Sequence, residues 1–346
     1  MAALSVLDLS YVAEGLKPSA ALAQTVELAQ ACDRLGYTRY WVAEHHNIPS
    51  VASSAPEVII ARIGAATRRI RVGAGGVMLP NHAPLMVAER FKTLEAFFPG
   101  RVDLGLGRAP GTDPVTSYAL RRHQAQSEQD VFLDRLQELI LWETGGFAPQ
   151  HPMSKVRPEP SDAPLPPLFL LGSSDFSAQL AGEIGVAFAF AHHFATHDAV
   201  DAMQTYRARF KPSRWRDRPL AILATSVVAA DDAAQAERLA ASADLSALRR
   251  AQGSYQPLPS PQTAAAYSYT DEERAIVRAN RRRLFVGTGE AVRARLEQLA
   301  QATGADEIMI ASPLYALAAR RRCYEILAES FGLEKSACDR NDAQVL

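Results

Sequence analysis

The sequence predicts an α/β fold, a (β/α)8 TIM barrel with an insertion after the seventh strand, and three observations lead there. Short apolar runs alternate with longer amphipathic segments from one end of the 346 residues to the other, the mark of repeated βα units and a parallel sheet. The apolar runs number eight. Polar or glycine-rich clusters follow their C-terminal ends, near 44–46, 75–82, 107–113, 172–177 and 192–194, which is the face where barrels build sites.

In chain order the candidate strands are 4–10, 37–43, 69–78, 102–107, 168–172, 185–191, 220–229 and 306–311. Apolar residues at helical spacing lie between them. Leu22, Val26, Ala29 and Leu35 mark the first helix, and Leu133, Leu136, Ile140 and Leu141 mark a long one over 124–144. The plain reading of such stripes is core packing. Residues 146–167 hold seven prolines, too many for regular structure, and read as an excursion before the fifth strand. Residues 251–270 are polar and aperiodic, which predicts a mobile segment, and 271–283 are strongly charged. Together 251–283 form the expected insertion, carrying a surface helix and acting as a lid over the site. Residues 1–334 read as one domain, and 335–346 as a short polar tail.

Composition narrows the function. The chain is 48% hydrophobic and 22% charged, which is globular, and 37 Lys and Arg balance 38 Asp and Glu to a net charge of -1. That balance offers no electrostatic footprint for nucleic acid or an anionic membrane. Cys32, Cys323 and Cys338 are far apart without CxxC spacing, which disfavours a disulfide framework and a thiolate metal site and fits a reducing cytosol. No run reaches the ~18 apolar residues of a membrane helix, and the N-terminus lacks a signal pattern. The expectation is a cytoplasmic, unprocessed protein.

Five clusters carry candidate chemistry. Glu44-His45-His46 follows the second strand, and imidazoles beside a carboxylate can hold or pass a proton; the alternative is hydrogen-bonded structure. Adjacent histidines leaving a strand point in opposite directions, which argues against one shared metal. Gly73 to Gly76 interrupt an apolar strand, as needed where a flat ring approaches the backbone or where the barrel bends. Arg108 stands among small residues in GLGRAPGTD, suited to a phosphate or to a salt bridge. Ser173, Ser174 and Ser177 lie where the fifth strand passes into a helix, suited to an anion or to N-capping. His192, His193 and Phe194 leave the sixth strand and can wall a pocket, whereas Phe188 and Phe190 read as packing. GxSxG, Walker, GxGxxG and zinc spacings are absent from the sequence.

Read in order, WVAEHH at 41–46, VGAGGVMLPNHAP at 72–84, RFKTLEAFFPGRVDLGLGRAPGTDP at 90–114, LGSSDFSAQLAGEIGVAFAFAHHF at 171–194 and GADEIMIASPLY at 304–315 resemble the luciferase-like flavin monooxygenases, relatives of the bacterial luciferase α subunit. The resemblance spans nearly the whole chain. It implies FMN at the C-terminal face, its phosphate held by Arg108, Ser173, Ser174 and Ser177. It also implies a non-proline cis peptide at Gly75 and Gly76 against which the flavin ring leans, and a proton-transfer histidine at His45 with Glu44 beside it. Leu9, Met78, His193 and Phe194 are the expected substrate contacts, from their placement at strand ends. Two positions depart from luciferase itself: Gly107 replaces its reactive cysteine and Ser173 its glutamate, which argues against light emission from a long-chain aldehyde.

The resemblance further implies reduced FMN delivered by a separate flavin reductase, dioxygen as co-substrate, a small organic substrate and a homodimer. Three alternatives stand beside it: an F420-dependent hydride-transfer enzyme on the same barrel, a non-catalytic flavin-binding protein, and a metal-dependent hydrolase using His45, His46, His192 and His193.

Overall fold

A computed structural model describes residues 2–121 and 128–333. Nine parallel strands form the sheet: β1 (Ala3–Asp8), β2 (Arg39–Val42), β3 (Arg71–Met78), β4 (Val102–Gly107), β5 (Leu168–Gly172), β6 (Ala187–Ala191), β7 (Ala221–Ala229), β8 (Leu284–Gly287) and β9 (Glu307–Ala311). Eight of them close a ring, β1 through β7 and then β9, which pairs back onto β1. The chain is a TIM barrel. The remaining strand, β8, lies outside the ring. β7 leaves β9 after the Ser226–Ala311 pair, and its continuation from Ser226 to Ala229 takes β8 as partner.

Helices α1 (Pro18–Leu35), α2 (Pro56–Ala66), α3 (Pro84–Phe97), α4 (Pro114–Arg121), α5 (Glu128–Thr144), α6 (Asp175–Ile184) and α7 (Ala199–Arg209) return the chain between strands. After β7 come α8 (Ala233–Ala251) and then the insertion, with α9 (Pro261–Ala266) and α10 (Asp271–Arg281); α11 (Gly289–Thr303) and α12 (Leu317–Phe331) complete the shell. Proline opens several of them and a left-handed glycine, as at Gly36 and Gly185, closes others, so the boundaries follow ordinary capping chemistry. The expected surface helix of the insertion is α10, begun by a reciprocal capping box between Thr270 and Glu273. Residues 251–270 are more ordered than their composition suggests: they contain α9, and Leu258, 1% exposed, pairs its backbone with Val12 and Glu14 beside β1. Residues 124–127 of the expected long helix and the tail from 335 lie outside the described residues.

The β6 sequence AFAFA shows how alternation sorts the core. Phe188 and Phe190 point outward into the layer between sheet and helices, while Ala187 and Ala189 point into the barrel with Leu7, Trp41, Phe169, Ile222 and Met309. At the N-terminal end the barrel is plugged by ions. Arg39 grips Glu307 with two nitrogens at 2.7 and 2.9 Å and reaches Asp103 at 2.8 Å, and Asp103 also accepts from Arg71 and from the Trp41 indole at 3.0 Å. At the other end the inward residues are small, Ala43, Gly107, Ala191 and Ala224 among them, so the interior stays open there. Gly105 is required by contact: a Cβ on it would lie 2.1 Å from the Ala74 carbonyl oxygen of β3.

Candidate active site

A cavity of about 750 Å³ opens at the C-terminal end of the barrel. Trp41, edge-on to Phe169 at 4.9 Å, forms part of its floor. Of the residues singled out in the sequence, Leu9, His45, Gly75, Met78, Arg108, Ser173, Ser174, Ser177, His193 and Phe194 line it. Gly76 and Glu44 do not. The Gly75–Gly76 peptide is cis, at the point where β3 shifts register against β4. A Cβ on Gly75 would lie 2.9 Å from Leu7 and 3.0 Å from Trp41, so only glycine leaves this wall flat.

Arg108 and the serines meet at one end of the cavity. The guanidinium carbon of Arg108 lies 4.8 Å from the centre of the Phe176 ring, in the first turn of α6, so the arginine stands at that helix's N-terminus. It makes no hydrogen bond or ion pair with any described residue. Ser174 occupies the N-cap position, yet its side chain makes no capping hydrogen bond. Plain N-capping is thereby set aside for Ser174, and its hydroxyl is free for a ligand. The open N–H groups and the positive end of the helix dipole face the same point, an arrangement that favours an anion. Ser177 is held there by packing: a side chain at Gly172 would lie 2.5 Å from its Oγ.

Period-two alternation explains Glu44. Trp41, Ala43 and His45 face the cavity, whereas Glu44 and His46 turn to the other side. Sequence adjacency suggested a proton pair of Glu44 with His45; the Glu44 carboxylate, fully buried, instead accepts from His46 and His82 at 2.9 Å, from the Met78 N–H at 2.8 Å and from Asn81 at 3.2 Å. Burial alone would push it up, but these donors outweigh burial and hold it at about 2. Glu44 is thus a permanent anion that ties the loops after β2, β3 and β4 together; the last is joined through Asn81 to the Pro110 carbonyl. Among the described residues no three His, Cys, Asp or Glu converge as a metal-ligand group, and His45 and His46 diverge as expected.

His45 and His193 face the cavity from β2 and β6. Burial lowers both to about 4, with Arg250 adding to it and with the Glu44 carboxylate opposing it at His45 and the Ala224 hydrogen bond opposing it at His193, so both are neutral at pH 7. The His193 Nδ1 lies 3.1 Å from the Ala224 carbonyl and donates to it, leaving Nε2 as an acceptor. His45 is the one lining residue with a buried polar atom lacking a partner, Nδ1. A stability consequence follows. The unfolded chain takes up these protons below about 6.5 and the folded chain only near 4, so stability is full above pH 6.5 and falls between 6.5 and 4. The loss is on the order of 3 kcal/mol per histidine at most. Urea unfolding at pH 7.5 and 4.5 checks it: His45→Gln and His193→Gln should each flatten the pH dependence, and an unchanged slope would contradict the assignment.

Sequence reading missed Tyr11, Arg250, Asn280, Arg283 and Met309 in the cavity wall. Arg250 and Asn280 sit in ordinary amphipathic helices, where nothing local distinguishes a cavity residue from a surface one. Position relative to the insertion was the only available signal.

The profile of the luciferase-like monooxygenases matches residues 3–307. The chain belongs to the luciferase-like monooxygenase family. Within this family it is 40% identical over 324 residues to an Escherichia coli (strain K12) protein named luciferase-like monooxygenase, covering 94% of this chain and 95% of that one. Among solved structures it resembles apo-MsnO8, with a TM-score of 0.87, 38% identity, and coverage of 97% of this chain and 100% of that one. The oxygenating constituent of 3,6-diketocamphane monooxygenase from Pseudomonas putida, solved with FMN, shares the fold at 20% identity and a TM-score of 0.69, with 95% of this chain and 97% of that one covered.

Proposed function

We propose that this member of the family is an FMN-dependent monooxygenase, the oxygenating half of a two-component system that receives reduced FMN from a separate flavin reductase and oxygenates a small organic substrate. One observation carries the reading: a guanidinium without a protein partner, Arg108, stands against the uncapped N-terminus of α6 inside a cavity of flavin-accommodating size. The residues present fit the cofactor. Arg108, Ser174 and the first N–H groups of α6 would take the phosphate, with Ser173 and Ser177 beside them, and the flat wall at Gly75 would take the ring. The FMN complex of the 3,6-diketocamphane enzyme supports the choice of cofactor.

Reduced flavin, when bound, supplies the activation of dioxygen. The protein's part is to position, to manage protons and to exclude water. Neutral His193 presents Nε2 as a proton acceptor while Ala224 fixes its ring, and His45 offers a second neutral imidazole on the facing wall. Tyr255, Leu258, Ile276 and Ala279 from the insertion cover the cavity with apolar surface, which limits water.

The test is oxygen uptake by the purified protein with a flavin reductase, NADH and a substrate panel. Uptake coupled to an oxygenated product, with FMN preferred over reduced F420, is the expected result. Anaerobic hydride transfer with F420, or tight FMN binding without turnover of any substrate, would replace this reading with one of its rivals.

A further inference from the structure

Three arginines line the cavity, Arg108, Arg250 and Arg283, and among the described lining residues there is no aspartate or glutamate. A phosphate at the α6 end accounts for Arg108. Arg283 is engaged, its Nη1 donating to the Ala195 carbonyl at 2.5 Å and so holding the turn after β6. Arg250, in the last turn of α8, is left over. Its guanidinium makes no hydrogen bond or ion pair with any described residue. Arg250 is exposed and at the same time lines the cavity from the end of α8, and its charge acts on the buried His45, His193 and Tyr11.

Tyr11 lies in the same region. A backbone bridge from Tyr11 to Val51 fixes the loop after β1 against the loop after β2, and one from Ala13 to Leu258 fixes it against the insertion. The phenol is pushed up to about 12 by burial, with Arg250 opposing, so it remains a donor. Its hydroxyl also has no hydrogen-bond partner among the described residues. The same cavity is lined by exposed apolar side chains: Phe194, Tyr255 and Ile276 are 60%, 48% and 36% exposed. A free cation and a free donor in one cavity with exposed apolar side chains match one ligand chemistry, an anion attached to an apolar body.

We propose that the substrate is a small organic carboxylate with an apolar body, its carboxylate anchored by Arg250 and the Tyr11 hydroxyl and its body resting on Phe194, Tyr255 and Ile276. The assignment rests on the reading that FMN places its phosphate at Arg108. Arg250, from α8, and Tyr11, from the loop after β1, act on specificity.

The probes are 4-phenylbutyrate, its neutral amide and 4-phenylbutylamine, titrated calorimetrically into the FMN-loaded protein. The wild type should prefer the carboxylate over the amide by about tenfold. Arg250→Ala should abolish that preference, Arg250→Glu should turn it toward the amine, and Tyr11→Phe should weaken the carboxylate alone, all with FMN affinity unchanged. Equal binding of acid and amide, no measurable binding of the acid, or a preference that survives Arg250→Ala would overturn the proposal while FMN binding stands. Loss of FMN binding by the wild type would overturn the cofactor reading, and this inference with it.

Discussion

Replacing Arg108 by alanine should weaken FMN binding on the order of 100-fold, corresponding to about 3 kcal/mol for a forked, charge-assisted contact with phosphate. The size follows from the setting. Arg108 already stands against the Phe176 ring with no protein partner, so the folded chain has prepaid its placement and no competing ion pair must be broken on binding. Arg108→Lys should recover only part of the loss, because an ammonium keeps the charge without the fork. Turnover at saturating FMN should change little, since the proposed role of the residue is to hold the phosphate end of the cofactor. Fluorescence titration of FMN and steady-state assays separate the two effects. An Arg108→Ala protein that binds FMN like the wild type would show the phosphate to be held elsewhere.

Asp103→Ala is expected to cost about 3–5 kcal/mol of folding stability, the range for stripping one partner from a buried ionic cluster. Asp103 is fully buried and serves three donors: Arg39 at 2.8 Å, Arg71 at 2.6 Å and the Trp41 indole at 3.0 Å. Its removal leaves Arg39 with Glu307 alone and strips the indole of its acceptor. Trp41 also floors the cavity, so the variant should lose FMN affinity along with stability. Urea denaturation measures the first effect directly. A loss below about 1 kcal/mol would mean that water satisfies these groups, and that the plug at the barrel bottom is dispensable.

The ring was legible because each of its strands is an apolar run bounded by turn residues, and 102–107 and 168–172 coincide with β4 and β5. Departures have local causes. The first run was read to Ser10 but β1 stops at Asp8, because Ser10 takes a left-handed φ of 52° and donates its N–H to the Asp8 carboxylate. β8, Leu284–Gly287, is only four residues long and directly follows three arginines at the end of the expected insertion, so the sequence reading placed no strand there. α4 was missed although its start is written in the chain: Asp113 accepts from the N–H groups of Val115 and Thr116, just before Pro114 opens the helix. In the site, the residues carried by strand ends were legible, since the barrel delivers strand ends to one face. Glu44 was misread because neighbours in a strand face opposite sides. Arg250 and Tyr11 were invisible because they reach one cavity from α8 and from the loop after β1, elements far apart in sequence.

A side-by-side titration of the purified protein with FMN and riboflavin bears most directly on the anion grip at α6. The two ligands differ only in the phosphate. Preference for FMN by a factor on the order of 100 is the predicted result, and equal affinity for the two would contradict it.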